Sequence, residues 1–325
     1  MIRCWSDAPS RPMPAVARAT GRVLAAAALA ATLFACGADE STATAQGTPQ
    51  PTGSTMGTLL IVGGGSQPPA LVSRFVELAG GPGKARIAVM PMASAEAASG
   101  GEEKAEQLRA LGAEVIVMNV TREQAQTDSV ARLLDGITGV WFNGGDQARL
   151  TDALQDTRTL EALRARYAAG AVLAGTSAGA AIMSDSMITG DQFRPGEDSS
   201  GYHGDEYPRI ARGTIVIARG LGFLHNAIVD QHFLKRERHN RLISVVLERP
   251  TLLGVGIDEG TALRVDPDGR WAVEGASAII IYDARKAAIT APTAPVLGAT
   301  DIRVHLLPAG SHFNPTTGEA ELPNP

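Results

Sequence analysis

Short apolar runs alternate with longer amphipathic stretches through the first half of the chain. The stretches at 69–78 and 101–111 have helical spacing, and they separate apolar runs at 59–62, 87–90, 115–118 and 140–142. Runs of this length are typical of buried strands, and strands that alternate with helices are typical of βαβ units. The pattern therefore predicts an α/β fold built on a mainly parallel sheet with helices on both faces.

The later part of the chain has a different pattern. Apolar and polar residues alternate from about Trp271, with runs at 278–282 and 302–307, which predicts an antiparallel extension. Residues 286–300 between these runs are rich in Pro, Ala and Thr and are predicted to be a linker. The polar segment 190–212 has no regular pattern, so we expect a loop or lid at the rim of the fold.

A glycine triplet, Gly63-Gly64-Gly65, directly follows the first apolar run. It lacks the G-x-G-x-x-G spacing that dinucleotide-binding loops require. We therefore interpret the triplet as a tight turn in preference to a nucleotide-binding loop.

The first 36 residues have the pattern of an export signal. Arg18 and Arg22 precede an apolar run at 23–34, which is short for a membrane span. The ending Leu-Phe-Ala-Cys at 33–36 resembles a bacterial lipobox, which implies that Cys36 becomes the lipidated first residue of the mature chain. Ordinary signal cleavage after a nearby alanine is the alternative. We expect an exported protein, either anchored through Cys36 to a periplasmic or cell-surface membrane or secreted.

Four segments follow from this organisation. They are a lipoprotein-type signal at 1–36, a flexible linker at 37–56, one domain at 57–285 and the extension at 286–325. The linker is rich in Ala, Thr, Gly, Ser and Pro, which suits a tether between an anchor and a domain. The domain is long enough to bury a large hydrophobic core.

Charge and cysteine content exclude several classes of function. The chain has 29 Lys and Arg against 34 Asp and Glu, a net charge of −5, which disfavours nucleic-acid binding. Both cysteines, Cys4 and Cys36, lie in the predicted signal, so the domain has neither a disulfide nor a thiol nucleophile. Asp230 and His232 could ligate a metal but have no evident third ligand. We expect no metal and no cofactor.

The apolar run at 171–174 ends in Gly175-Thr176-Ser177-Ala178-Gly179. A buried strand that turns sharply into a helix between small residues is the pattern of a nucleophile elbow, with Ser177 lifted clear of the sheet. The Ala178 N–H would then point towards a developing oxyanion. The short motif also fits a packing turn or a phosphate-binding turn, so downstream residues must decide between these interpretations.

Two later apolar runs end in the groups that a serine nucleophile needs. One ends in His232, and the other, at 252–257, is followed by Glu259. Because the carboxyl ends of parallel strands meet at one edge of a sheet, we expect Ser177, His232 and Glu259 to converge there.

Paired glycines follow the apolar run at 140–142. Gly144-Gly145 would allow a close backbone approach to a ligand, and the Gly145 N–H would be a second oxyanion donor. A plain strand-to-helix turn is the alternative.

Four ordered blocks carry a resemblance to a known family. They are Phe-Asn-Gly-Gly-Asp-Gln at 142–147, the elbow at 175–179, Asp-Gln-His-Phe at 230–233, and Gly-Ile-Asp-Glu-Gly-Thr-Ala at 256–262. In this order they resemble cyanophycinases, serine peptidases related to the aspartyl dipeptidases, over most of residues 57–285.

The resemblance implies the roles of the catalytic residues and the type of fold. Ser177 would be the nucleophile, His232 the general base and Glu259 the acid that orients it. The implied fold is similar to that of flavodoxin and of class I glutamine amidotransferases. The order serine, histidine, acid differs from that of α/β-hydrolases, in which the acid precedes the histidine.

The predicted substrate-binding residues come from several arguments. The resemblance places Gln147 in the substrate cleft, and the basic run after His232 supplies Arg236, Arg238 and Arg241. Asp230 would suit a substrate guanidinium, and Gln231 lies beside it in the third block. Guanidinium groups bind carboxylates bidentately. Cyanophycin carries a free carboxylate and a guanidinium on each unit of its polyaspartate backbone, and the family releases β-aspartyl-arginine dipeptides from it. On a helix Arg238 and Arg241 share one side, so all three arginines reach one ligand only if the helix begins after Arg236.

Three alternatives stay open at this point. An aspartyl or isoaspartyl dipeptidase would use the same triad on small acidic peptides. An esterase would pair Ser177 with a later histidine such as His305. A non-catalytic lipoprotein would capture Asp- or Arg-rich peptides in the same cleft. The oligomeric state is likewise open, with a homodimer among the expectations.

Overall fold

The computed structural model describes residues 56–192, 207, 209–294 and 296–324. The predicted signal, Cys36 and nearly all of the predicted tether lie outside the described residues. Most of the loop predicted at 190–212 lies outside them as well.

The described residues form helices and strands in an alternating order along the first half of the chain. The helices are α1 (Pro69–Leu78), α2 (Ala97–Ala110), α3 (Arg122–Ala125), α4 (Asp128–Ala131), α5 (Gln147–Leu154), α6 (Arg158–Ala168), α7 (Ala178–Ala181) and α8 (His239–Glu248), with a 3-10 helix at Arg132–Leu134. The strands are β1 (Leu59–Val62), β2 (Arg86–Met90), β3 (Glu114–Val117), β4 (Gly139–Phe142), β5 (Val172–Thr176), β6 (Ser186–Gln192), β7 (Ile215–Arg219), β8 (Ala227–Gln231), β9 (Leu253–Ile257), β10 (Thr261–Val265), β11 (Trp271–Gly275), β12 (Ala278–Asp283), β13 (Ala288–Ile289), β14 (Ala299–Thr300), β15 (Arg303–Pro308), β16 (His312–Asn314) and β17 (Glu319–Glu321).

Nine of the described strands form the larger sheet, in the order β17-β16-β11-β10-β1-β5-β4-β2-β3. The half from β1 to β3 is parallel. The other half consists of β10, β11, β16 and β17 and is antiparallel. It is attached to the parallel half by the pairing of β10 with β1. The parallel strands lie at the predicted apolar runs, so the predicted α/β fold is confirmed.

The parallel strands bury side chains on both of their faces. Leu59 and Ile61 of β1 belong to one hydrophobic cluster, whereas the alternate residues Leu60 and Val62 belong to another. Consecutive residues of a strand point to opposite faces, which is why these runs are continuously apolar. Residues of α1 and α2 pack into the second cluster and residues of α5 and α6 into the first, so helices cover both faces.

A separate sheet of four strands has the order β15-β12-β9-β8, with β8 and β9 parallel. Leu242, Val245 and Val246 of α8 share a hydrophobic cluster with Ile228 of β8. The sequence prediction placed the ends of β8 and β9 on the same sheet edge as Ser177. The structure instead places them on this second sheet. The prediction missed this sheet because strand pairing between distant segments is not encoded in local periodicity.

The C-terminal strands are antiparallel, as predicted. β12 pairs with β15, and β16 extends the larger sheet by pairing with β11, where Phe313 contacts Trp271 with ring centroids 5.6 Å apart. The predicted linker at 286–300 contains a short ribbon, since β13 pairs with β14. In the part of the chain that the structure describes, no helix has the length and hydrophobicity of a membrane-spanning segment.

Candidate active site

Ser177 occupies the sharp turn between β5 and α7. Its φ is 53° and its ψ is −111°, a conformation that a non-glycine residue keeps only in a tightly held turn. The flanking glycines permit this turn. A Cβ at Gly175 would lie 2.2 Å from the Gly179 carbonyl oxygen, and a Cβ at Gly179 would lie 2.3 Å from that of Phe142. The G-x-S-x-G spacing therefore forms the elbow that the sequence indicated.

Ser177, His232 and Glu259 form a hydrogen-bonded array. The Ser177 Oγ lies 2.9 Å from His232 Nε2, and His232 Nδ1 lies 2.7 Å from Glu259 Oε1. Because a carboxylate accepts the Nδ1 proton, Nε2 is left to accept the serine proton. His305, the alternative partner for Ser177, lies on β15 with its ring centroid 5.0 Å from that of Phe313.

The parallel pairing of β8 with β9 places the two partners of Ser177 side by side. Gln231 is paired with Ile257, so His232 and Glu259 follow neighbouring strand ends. The Asp258 carboxylate holds the second of these ends, accepting from Lys235 N at 3.0 Å and from Ser277 Oγ at 2.8 Å. His232 itself has a φ of 51°.

The glycine triplet after β1 joins the two sheets at this point. The His232 N–H donates to the Gly63 carbonyl at 2.6 Å, and the Gly260 N–H donates to the Gly64 carbonyl at 3.0 Å. A Cβ at Gly64 would lie 2.3 Å from His232 Cε1, and a Cβ at Gly65 would lie 2.8 Å from Glu259 Oε2. The triplet is a turn, as interpreted from the sequence, but its function here is to leave room for the catalytic candidates.

The pKa of His232 lies below its ordinary value. Burial is the largest cause, because it disfavours the charged imidazolium, and the positive charges of Arg236 and Arg238 act in the same direction. The hydrogen bond and negative charge of Glu259 oppose them. The neutral imidazole that a general base requires is therefore favoured.

The Gly144-Gly145 turn lies directly against the elbow. A Cβ at Gly144 would lie 3.2 Å from Ser177 Cβ and 3.8 Å from its Oγ. Gly145 has a φ of 138°, and a Cβ there would lie 2.1 Å from the Ala93 carbonyl oxygen. Among the described residues, no protein acceptor bonds to the Gly145 N–H, and the Ala178 N–H is the first of α7. Both predicted oxyanion donors therefore belong to turns that adjoin Ser177.

Gln147 is buried at the start of α5. Its side-chain Nε2 donates to the Ile188 carbonyl at 2.8 Å and also to the Thr189 carbonyl, so the amide hydrogens hold β6 in place. Only the side-chain oxygen remains for the predicted contact with substrate.

Asp230 and Arg241 form a fully buried ion pair. The Arg241 Nε donates to Asp230 Oδ2 at 2.8 Å, its Nη2 donates to Oδ1, and its Nη1 donates to the Tyr207 hydroxyl at 2.7 Å. Asp230 is 0% exposed and Arg241 is 1% exposed. In this arrangement the two charges neutralise each other inside the core, which weighs against the prediction that both residues bind substrate.

The other candidates of this group have different surroundings. Arg238 is buried, donates to the Gln231 carbonyl at 2.8 Å and lies 3.7 Å from Asp230 Oδ1. The Gln231 side chain is buried too, and its Oε1 has no hydrogen-bond partner among the described residues. Arg236 is exposed. α8 begins at His239, after Arg236 as the sequence argument required, but Arg238 and Arg241 are buried whereas Arg236 is exposed.

A pocket of about 500 Å³ opens beside the elbow. It is lined on the nucleophile side by Gly144 and Thr176, and on the far side by Lys104 of α2. Sequence analysis missed Lys104, Gly64, Gly65 and Asp258. The glycines and Asp258 stood in or beside motifs already noted, whereas a single lysine in an amphipathic helix has no distinguishing sequence pattern. Within the described ranges, no group of three or more His, Cys, Asp or Glu side chains could hold a metal ion.

The chain is similar to known proteins in sequence and in fold. The sequence signature of Peptidase family S51 matches residues 59–270. A cyanophycinase of Trichormus variabilis is 37% identical over 243 residues, 72% of this chain and 76% of that protein. A cyanophycinase of Synechococcus elongatus is 34% identical over 258 residues, 77% of this chain and 76% of that protein. In its fold the chain is similar to the crystal structure of a peptidase from an acI-B1 Actinobacterium, with a TM-score of 0.59, 24% identity, and coverage of 80% of this chain and 97% of that one.

Proposed function

The chain belongs to peptidase family S51 and is a serine-type peptidase, and we propose that it uses Ser177 to hydrolyse the polyaspartate backbone of cyanophycin to β-aspartyl-arginine dipeptides. The observation that carries the proposal is the array of Ser177, His232 and Glu259 at 2.9 Å and 2.7 Å, in a chain 37% identical to a cyanophycinase. A serine that touches a histidine, which in turn touches a carboxylate, is the arrangement required for nucleophilic acyl transfer.

The proposed reaction begins with proton transfer. His232 Nε2 takes the Ser177 hydroxyl proton while Oγ attacks the carbonyl carbon of an aspartyl backbone amide. Glu259 stabilises the imidazolium that forms, and the N–H groups of Gly145 and Ala178 donate to the oxyanion.

Collapse of the tetrahedral intermediate breaks the C–N bond. His232 returns the proton to the leaving amine, and an ester on Ser177 remains. Water then attacks the ester with His232 as base, which releases the carboxylic acid and restores the serine hydroxyl. The lowered pKa of His232 keeps the base neutral at the start of each half-reaction.

The experiment is dipeptide release from insoluble cyanophycin. Protein from residue 41 onward, as the parent and as Ser177→Ala, is incubated with the polymer, and β-aspartyl-arginine is measured by mass spectrometry. We expect release by the parent and a fall of at least about 10⁴-fold in the variant. A folded parent that releases no dipeptide would overturn the choice of substrate.

One observation favours a second candidate, an aspartyl dipeptidase. The burial of Arg241 against Asp230 removes one of the arginines on which recognition of the polymer was predicted to depend. Hydrolysis of short aspartyl peptides by a parent that leaves cyanophycin intact would establish this activity instead.

The proposal also includes the protein's location. The apolar run at 23–34 and the lipobox-like ending at Cys36 support export and lipid anchoring. Extracellular or periplasmic polymer would then be the accessible substrate.

A further inference from the structure

The pocket beside the elbow contains a cation that the proposed reaction does not use. Lys104 projects from α2, is half-buried, and donates from Nζ to Gln67 Oε1 at 3.0 Å and to Gln107 Oε1. The same Nζ lies 4.5 Å from the centroid of the Trp141 ring. Two neutral amides and an aromatic face therefore surround the ammonium.

In the described part of the chain, this charge has no ion-pair partner. Among the residues that the structure describes, no carboxylate lies within ion-pair distance of Lys104. Glu103 is the other titratable residue that lines the pocket. Its negative charge raises the pKa of Lys104, but by less than burial lowers it. Burial lowers the pKa of Lys104 to about 8, because the ammonium loses hydration without gaining an anion. Such a cation is stabilised by any carboxylate that enters the pocket.

The pocket lies beside the proposed nucleophile. Gly144 lines it, and a Cβ on Gly144 would lie 3.8 Å from Ser177 Oγ. Gln67 links the lysine to the elbow, since its Nε2 lies 3.4 Å from the hydroxyl of Thr176, the residue before Ser177. A substrate held at Ser177 could therefore extend into this pocket towards Lys104.

We propose that this pocket is a carboxylate subsite of the active site, in which the Lys104 ammonium binds a free carboxylate of the substrate unit beside the scissile bond. The inference rests on the proposed function and adds to it the recognition of one specific chemical group. Lys104 is a specificity-determining residue here, whereas the reacting atoms remain those of Ser177 and His232. On cyanophycin, the arginyl carboxylate and the C-terminal backbone carboxylate have the required chemistry.

The kinetic test uses β-aspartyl-arginine trimers in three forms: with all carboxylates free, with arginyl carboxamides, and with a C-terminal carboxamide. The proteins are the parent, Lys104→Gln, Lys104→Arg and the control Lys84→Gln, which removes an exposed lysine in the loop between α1 and β2. We expect the parent to have a KM about tenfold to a hundredfold lower for the free acid than for one of the carboxamides. Lys104→Gln should abolish this ratio with little change in kcat, Lys104→Arg should retain part of it, and Lys84→Gln should keep it.

A structural role for Lys104 would have a different signature. Damage to the helix would lower kcat for every trimer and leave the acid-to-amide ratio as in the parent. That result, or an unchanged ratio in Lys104→Gln with normal activity, would overturn the proposal.

A second measurement does not depend on catalysis. The chain has four lysines, so ¹³C-methylated lysine resonances of the Ser177→Ala protein can be assigned with Lys104→Arg. We expect the free-acid trimer to raise the pKa of Lys104. At least one of the carboxamide trimers should leave this pKa unchanged. A Lys104 resonance that does not respond to the free acid would refute the subsite. Absence of dipeptide release by the parent would refute the proposed function alone, so the two failures are distinguishable.

Discussion

Ser177 and His232 both have backbone conformations that side chains rarely adopt. Their φ angles are 53° and 51°. Each such residue costs about 1–3 kcal/mol and persists only where its surroundings hold it. At Ser177 the surroundings are the closely packed glycines of the elbow, and at His232 they are the backbone hydrogen bond to Gly63. The strain serves to bring two side chains from different sheets within hydrogen-bonding distance.

Gly64→Ala should inactivate the protein without unfolding it. A Cβ at this position would lie 2.3 Å from His232 Cε1, so the imidazole must move away from Ser177. We expect kcat/KM to fall by at least about 100-fold, because a displacement of 1 Å at a reacting group has an effect of this size. The measurement is kcat/KM together with urea unfolding.

Gly170→Ala is the matched control. Gly170 also has a positive φ, 97°, but a Cβ there meets no atom within 4 Å. The Gly170→Ala protein should have the same backbone strain as Gly64→Ala, about 1–2 kcal/mol, and keep the activity of the parent. Equal activity losses in the two variants would show that strain, and not the collision with His232, is responsible.

Arg236→Gln should move the acidic limb of the pH profile. The Arg236 charge lowers the pKa of His232, so its removal raises that pKa. The base is active when neutral, and activity is lost as the pH falls through this pKa. We therefore expect the acidic limb of kcat/KM to shift to higher pH. Arg132→Gln, at an exposed position of the 3-10 helix, should leave the limb where it is in the parent. A parent-like limb in Arg236→Gln would contradict the prediction.

Residues in motifs were the predictable part of the site. Ser177, His232 and Glu259 follow apolar runs, and the structure places them in contact. The burial of Arg241 could not be predicted, because a basic run at a helix start has the same pattern whether its members face solvent, substrate or the core. Lys104 was missed because its significance depends on the described side chains that surround it, which only the tertiary structure shows.

At the level of elements, β8 and α8 are joined by the buried pair of Asp230 and Arg241. The pair lies in the interior, and the Tyr207 hydroxyl accepts a further hydrogen bond from Arg241. Its charge-assisted hydrogen bonds fix the orientation of the helix behind His232. The pair thus supports the strand end that carries the proposed base.

Arg241→Met should destabilise the fold by about 3–5 kcal/mol, because it leaves Asp230 buried and unpaired. The double variant Asp230→Leu with Arg241→Met should recover much of this loss, since it removes both charges. The measurement is the free energy of unfolding in urea. A single variant with parent-like stability and a raised KM would restore Arg241 to the substrate-binding residues.

The elements of the parallel half could be predicted closely, whereas the assembly of the second sheet could not. Each apolar run from β1 to β5 is followed by a helix, and this local order determines parallel neighbours. The runs at β8 and β9 have the same local pattern and also pair in parallel, yet they lie in a second sheet, in which β9 pairs with β12 and β12 pairs with β15. The β13–β14 ribbon was missed because its two short strands carry no periodic signal.

For the molecule as a whole, Cys36 determines the predicted location. We expect the full chain to incorporate labelled palmitate and to sediment with membranes when expressed in a bacterium. Cys36→Ser should abolish the label and release the protein, while Cys4→Ser should behave like the parent. A parent that carries no label and stays soluble would favour ordinary signal cleavage.

The division of the proposed triad between two sheets has a consequence for when the site can form during synthesis. Ser177 is made with the parallel strands, whereas Glu259 follows β9 and meets it only after the smaller sheet has docked on the glycine turn. A nascent chain that ends before Glu259 contains Ser177 and His232 but lacks the carboxylate that bonds to His232. If these residues have the proposed roles, peptidase activity is expected only after β9 and Glu259 have been made, so the growing polypeptide should not cleave itself or its neighbours.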